Sequence, residues 1–227
     1  WEWTNDLILE YAKISAEMPT LFGVFLDYEN YAEGPNCYAL SYDDLILGQF
    51  GEAQGVEIPE LALDKRSTWL KEQGLHDQFE AFQVAHWRER ARTLREAVDE
   101  IDPEFMFMIY PAPGTKFMVE ACYPEWATEQ APLILADAST YGRAAILPHE
   151  QALEANRTKM IDNQKYARSQ GENLLYTGGI DPVVKGADPE FSGRNAAMIM
   201  EETDGYWIFY EGPKYEGTHR EYFEWFQ

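Results

Sequence analysis

Two carboxylates two residues apart, Asp27 and Glu29, close the apolar stretch Thr20-Leu-Phe-Gly-Val-Phe-Leu-Asp-Tyr-Glu29. Residues two apart on a strand share a face. Gly23, Phe25, Asp27 and Glu29 then point one way, and Val24, Leu26 and Tyr28 the other. Paired acids suit general acid–base chemistry, because neighbouring carboxylates push each other's pKa values apart and one keeps its proton near neutrality. Other apolar runs end in similar groups. Tyr110 closes 105–110, and Asp137 closes 132–137 with Tyr141 four residues on. Tyr176 sits in 173–177, followed by Asp181, and Trp207 and Glu211 sit in and just past 205–210. Cleaving a glycosidic bond requires one acid to protonate the leaving oxygen and another to attack or stabilise the cationic sugar centre. Glu29 is the first candidate for general acid and Asp27 for nucleophile or electrostatic partner. Asp137 and Glu211 are further acids, and Tyr110, Tyr141, Tyr176 and Trp207 are candidate sugar contacts.

These tips need elements to hold them. The apolar runs predict strands near 21–27, 105–110, 132–137, 173–177 and 205–210. Helical spacing predicts helices at 4–18, capped by Thr4-Asn5-Asp6, and at 41–51, 67–74, 75–101 and within 115–130. Three more are predicted: 148–170 ending at Gly171, 188–203 opened by Asp188-Pro189, and one after Thr218. Strand and helix therefore alternate, the pattern of a parallel sheet covered by helices. No glycine-rich phosphate loop follows a strand, since Gly178-Gly179 is not G-x-G-x-x-G. The reading is an α/β chain, a single (β/α) TIM-type barrel domain over 1–227, with a helical excursion inserted after the first strand. A closed barrel needs eight strands and about five are visible. The expectation is that these are the later strands, completed by a missing N-terminal segment or a second chain.

Composition bounds the partners. The net charge is −22 over 227 residues. Such a surface repels phosphate backbones and anionic lipid, which disfavours nucleic-acid and membrane binding, while a neutral glycan meets no such repulsion. Aromatics make up 15%, enough to supply stacking platforms as well as core. The long helix carries Arg88, Arg90, Arg92 and Arg95, which read as a solvated face. Cys37 and Cys122 form no CxxC and their pairing is open. The four histidines are scattered, so no metal and no cofactor is expected. No apolar run of about 18 residues predicts a membrane span.

Gly23-Val-Phe-Leu-Asp27-Tyr-Glu29 resembles the strand-four signature of glycoside hydrolase family 18, the chitinase-like barrels, Asp-x-x-Asp-x-Asp-x-Glu. The resemblance implies Glu29 as general acid and Asp27 as the residue that orients the substrate N-acetyl group. Met108-Ile-Tyr110 is similar to that family's Met-x-Tyr-Asp strand end, and Trp207 to its last-strand tryptophan. Phe22 and Phe25 stand at the first two Asp positions, and Pro111 follows the tyrosine. The chain is closer to barrel glycosidases of bacterial polysaccharide degraders, which implies a secreted or periplasmic location. A resemblance to α-galactosidase-like barrels instead implies Asp27 as nucleophile and Asp137 as acid. A second class stays open, a non-catalytic glycan-binding or assembly protein with the same aromatic mouth.

Overall fold

A computed structural model describes residues 2–18, 20–27, 42–110, 116–137, 139–140, 148–180, 188–209 and 219–227. Five strands are present: β1 (Gly23–Asp27), β2 (Met106–Tyr110), β3 (Leu133–Asp137), β4 (Leu174–Ile180) and β5 (Gly205–Ile208). Helix α1 (Glu2–Glu17) precedes β1, and α2 (Asp44–Gln54), α3 (Leu63–Glu72) and α4 (His76–Asp99) follow it. The later helices are α5 (Lys116–Trp126), α6 (His149–Gln170), α7 (Pro189–Glu202) and α8 (His219–Trp225). The strands form one sheet in the order β1-β2-β3-β4-β5, and each neighbouring pair is parallel.

The chain divides into two compact units. Residues 1–28, 98–114 and 127–227 form one, and 29–97 with 115–126 form the other. The first holds the sheet with α1, α6, α7 and α8. Its three central strands bury one face: Phe107, Ile109, Leu133, Leu135, Leu174 and Tyr176 are each at most 1% exposed, while on the same face of the edge strands Val24 and Leu26 are partly buried and Tyr206 and Ile208 are exposed. Each fully buried side chain contributes about 1.5–3 kcal/mol relative to exposure. The intervening positions Met106, Met108, Ile134 and Leu175 are only partly buried.

Local signals explain the helix ends. Asp188 caps α7 by accepting from Phe191 N, with Pro189 at the first turn, as the sequence predicts. Gly171 ends α6 at φ 152°, backbone space open to glycine. Thr4-Asn5-Asp6 does not cap α1. The helix is already formed at Glu2, whose charge suits the positive end of the helix dipole. The outer side of α1 leaves Trp3, Leu7, Tyr11, Ile14 and Met18 exposed, while Ile8 and Ala12 are buried.

The sheet is strongly curled. Four steps of about 4.8 Å would set β1 and β5 roughly 19 Å apart across a flat sheet. Yet the Phe25 ring of β1 and the Trp207 ring of β5 have centroids 5.4 Å apart. The face of Phe25, Met108 and Trp207 is therefore concave and the face of Phe107, Leu135 and Tyr176 is convex, carrying α6 and α7. The result is a half-barrel of five parallel strands.

Among its described residues the second unit holds α2, α3 and α4, the helical excursion expected after the first strand, together with α5. Leu47, Phe50, Leu70 and Phe79 form its core, with Phe50 and Phe79 edge to face at 5.2 Å. Trp126 of α5 is fully buried and donates Nε1–H to the Ala91 carbonyl at 2.8 Å. Of the arginines expected on a solvated face, Arg88 and Arg92 are exposed and also tie α4 to α5, whereas Arg95 is buried at 3% exposure. Arg88 Nε and Arg92 Nε donate to Glu125 of α5 at 2.8 and 3.1 Å. Burial pushes the Glu125 carboxyl up, but the hydrogen bonds and charges of Arg92 and Arg88 outweigh this and hold it below the usual range. No described helix is long and apolar enough to cross a membrane.

Candidate functional site

Register decides which strand-tip residues meet. Gly23 pairs with Met106, Phe25 with Met108 and Asp27 with Tyr110, so these six share a face. Met108 pairs with Ile134, and Ala136, two residues on, shares that side. Gly179 pairs with Trp207, and Thr177 with Gly205. Phe25, Asp27, Tyr110 and Trp207 thus lie on the concave face, towards the carboxyl ends of the strands. Parallel α/β folds place their chemistry at that end.

Three rings form the centre of this site. Tyr110 packs edge to face with Trp207 at 5.3 Å and with Phe25 at 6.4 Å, and Phe25 and Trp207 are tilted at 5.4 Å. Phe209 joins them, 6.4 Å from Trp207. Tyr110 is covered at 8% exposure, whereas Phe25 is 47% exposed and Asp27 is also exposed. An exposed apolar ring beside an acid, on an inward-curving wall, offers a stacking surface with a charged group at its edge.

Asp137 and Tyr176 go elsewhere. They fall on the convex face with Leu133 and Leu135, beneath α6. Asp137 is 5% exposed. One carboxylate oxygen accepts from Ser139 N at 2.8 Å. The other accepts from Ser139 Oγ at 2.6 Å, Asn163 Nδ2 at 2.8 Å and Tyr176 Oη at 2.5 Å. Tyr176 is fully buried, and burial together with the Asp137 charge raises its phenol pKa well above that of a free tyrosine. The network continues: Thr140 Oγ1 donates to the Gly179 carbonyl at 3.3 Å, and Asn195 Nδ2 to the Thr140 carbonyl at 2.8 Å. These groups hold the β3 tip to α6 and α7 and do not open on the concave side. The Trp207 indole N–H links the two faces, donating to the main-chain carbonyl of Asp137 at 3.3 Å.

Of the sequence candidates, Asp27, Tyr110 and Trp207 are brought together, and Asp137 and Tyr176 are separated from them by the sheet itself. Glu29, Tyr141 and Glu211 lie outside the described residues, as do Cys37, Pro111 and Asp181. Phe25, Asn163 and Ser139 were not sequence candidates. Phe25 shares strand parity with Asp27, which marks it. Asn163 falls among Leu153, Met160 and Ala167 on the buried side of α6, and a lone amide in such a row signals an internal partner.

Other features do not converge on this site. A cleft of about 450 Å³ lined by Ser15, Phe22, Asp102, Glu104 and Met106 lies at the opposite, amino end of the strands. Ser15 Oγ donates there to Asp102 at 2.7 Å and to the Leu21 carbonyl at 2.6 Å, a structural tie between α1 and the start of β2. At the start of α4, His76, Asp77 and Glu80 bring ligand-type atoms within 4.8 Å of one another. His76 Nε2 is already bonded to the Tyr42 hydroxyl at 3.0 Å. No family model, curated protein or solved structure matches this chain.

Proposed function

We propose that the chain is a barrel-type glycoside hydrolase acting on a neutral oligo- or polysaccharide at the concave, carboxyl end of the sheet. The observation that carries this reading is the packing of Phe25, Tyr110 and Trp207 into one aromatic wall with exposed Asp27 on the same face. Sugar rings present flat C–H faces, and aromatic faces receive them without needing charge. Asp27 is the nucleophile or electrostatic partner, and Glu29, two residues on, is the general acid. Asp137 and Tyr176 act behind the wall rather than on substrate. The strands are the later part of an eight-stranded (β/α) barrel, and the setting is secreted or periplasmic.

One observation favours a second reading. Hydrolysis needs two acids, and among the described residues Asp27 is the one sequence-candidate acid on the aromatic face. A non-catalytic glycan-binding protein would need the wall and a single hydrogen-bonding carboxylate. The experiment compares the parent with Asp27→Asn and Glu29→Gln on aryl glycosides and plant, algal and microbial polysaccharides. An enzyme of this kind loses about 10²–10⁴-fold in rate for each and keeps binding. A binder shows no turnover and loses affinity with Asp27→Asn. Turnover that survives both substitutions excludes these acids from the mechanism.

A further inference from the structure

Asp137 is the residue at which the two faces of the sheet meet. Its carboxylate points to the convex side and takes four donors, from Ser139 twice, Asn163 and Tyr176. Its carbonyl takes the Trp207 indole N–H. Trp207 belongs to β5 and Asp137 to β3, so the indole must reach past β4. The position opposite Trp207 on β4 is Gly179, which has no side chain to obstruct it. The neighbouring glycine serves the other face: a Cβ on Gly178 would sit 2.7 Å from Ile199 Cγ2 and 3.0 Å from Met160 Sδ. The Gly178-Gly179 pair lets helices approach from one side and the indole cross on the other.

We propose that Asp137 is a positioning residue for Trp207: by locking the β3 tip against α6 and β4, it presents its carbonyl so that the indole is held across Gly179 in the plane on which a sugar ring stacks. This rests on the glycan-wall reading above. Phe25 and Tyr110 hold the ring side of the indole at 5.4 and 5.3 Å, and the carbonyl of Asp137 holds its N–H. A ring gripped on two sides is ordered before ligand arrives, so binding spends less on ordering it. A carboxylate with one donor would cap a loop equally well. Four donors from β4, α6 and the following turn fix both the position and the tilt of the peptide that receives the indole.

The test uses the full ¹⁵N-labelled chain. Its 7 tryptophans give separate indole N–H resonances, and Trp207 is identified as the one lost in Trp207→Phe. In Asp137→Asn and in Asn163→Ala, the Trp207 resonance is expected to move and its proton to exchange with solvent at least about 5-fold faster, the scale of a weakened hydrogen bond. The other indoles stay in place. Asn163→Ala removes one donor of four, so it keeps the test open if Asp137→Asn does not fold. An unmoved Trp207 resonance in a folded variant overturns the proposal. So does a uniform shift of all indoles, which is what a merely structural role gives. Binding of cellohexaose, maltohexaose and chitohexaose is measured in parallel. Asn163→Ala should weaken whichever the parent binds by about 3- to 10-fold, the cost of ordering one freed side chain. If that sugar is also cleaved, KM rises and kcat is nearly unchanged. Unchanged affinity in a folded Asn163→Ala overturns the link from positioning to binding. A parent that binds none of these hexasaccharides, nor any polysaccharide of the activity screen, counts against the glycan reading, while the indole spectra still decide whether Asp137 positions Trp207.

Discussion

At the residue scale, Tyr176 shows how a buried polar group makes a site rigid. Its hydroxyl donates a hydrogen bond to Asp137 and lies in the apolar layer under α6. Burial and the neighbouring charge both oppose ionisation, so the folded pKa lies above the unfolded value of about 10. The stability this adds is complete below about pH 10 and is lost as pH rises beyond it, because only the unfolded chain then releases the proton readily. Tyr176→Phe removes a hydrogen bond to a charged group and should cost about 1.5–3 kcal/mol at pH 8. The gap between parent and variant should narrow as urea midpoints are followed from pH 9 to 11. A gap that widens instead would mean the phenol is not protonated in the fold. Cys122 follows similar logic without a partner charge. Burial in α5 pushes its thiol up to about 12. Native protein should leave Cys122 unmodified by iodoacetamide over hours at pH 8, and urea should expose it, as read by peptide mass mapping.

At the element scale, much of the architecture was legible. Five continuous apolar runs separated by amphipathic stretches require a parallel sheet, since strands buried on one side and half-buried on the other cannot tolerate frequent charges. The observed strands fall within a few residues of the runs. What the sequence could not show was register. Asp137, Tyr110 and Trp207 each stand at or near a strand tip, so they read as one cleft. Parity relative to neighbouring strands separates them: Asp137 is in phase with buried Leu133 and Leu135, Tyr110 with half-open Met108. A one-residue slip in pairing exchanges the faces, and nothing in a single strand's residues settles it. The tie of Arg88 and Arg92 to Glu125 is illegible in the sequence for a related reason, as Glu125 lies over 30 residues away. In the sequence the Gly178-Gly179 pair marks only the absence of a phosphate loop, although its use is steric. Gly178→Ala should force Ile199 and Met160 apart and cost about 1–3 kcal/mol by overpacking. The check is a denaturant series in which the midpoint falls and the slope is unchanged. An unchanged midpoint would mean that α6 and α7 do not pack as closely on β4 as this geometry requires.

At the scale of the whole molecule, charge opposes compaction. There are 40 acidic and 18 basic side chains, a net −22. Salt has two opposite effects on such a chain. It weakens ion pairs, which would destabilise the fold, and it screens the repulsion among excess carboxylates, which would stabilise it. Among the described pairs, Lys13–Glu10, Lys65–Asp64, Lys165–Asp162 and Arg220–Glu224 have both partners more than half exposed. Exposed pairs contribute little, with a median of about 0–1 kcal/mol. The 40 acids exceed the 18 bases by 22, and each excess charge feels the field of the rest within a Debye length of about 30 Å at 10 mM salt and about 10 Å at 100 mM. Screening of repulsion should therefore win. The melting temperature is expected to rise by several degrees between 10 and 300 mM sodium chloride at pH 7, with most of the gain below 100 mM. Lowering the pH towards the isoelectric point near 4.4 removes the same repulsion by protonation, so the salt response should shrink there. A melting temperature that falls with salt at pH 7 would show that the arginine clamps, Arg157 with Glu201 and Glu202 and Arg168 with Asp204 among them, outweigh the net charge.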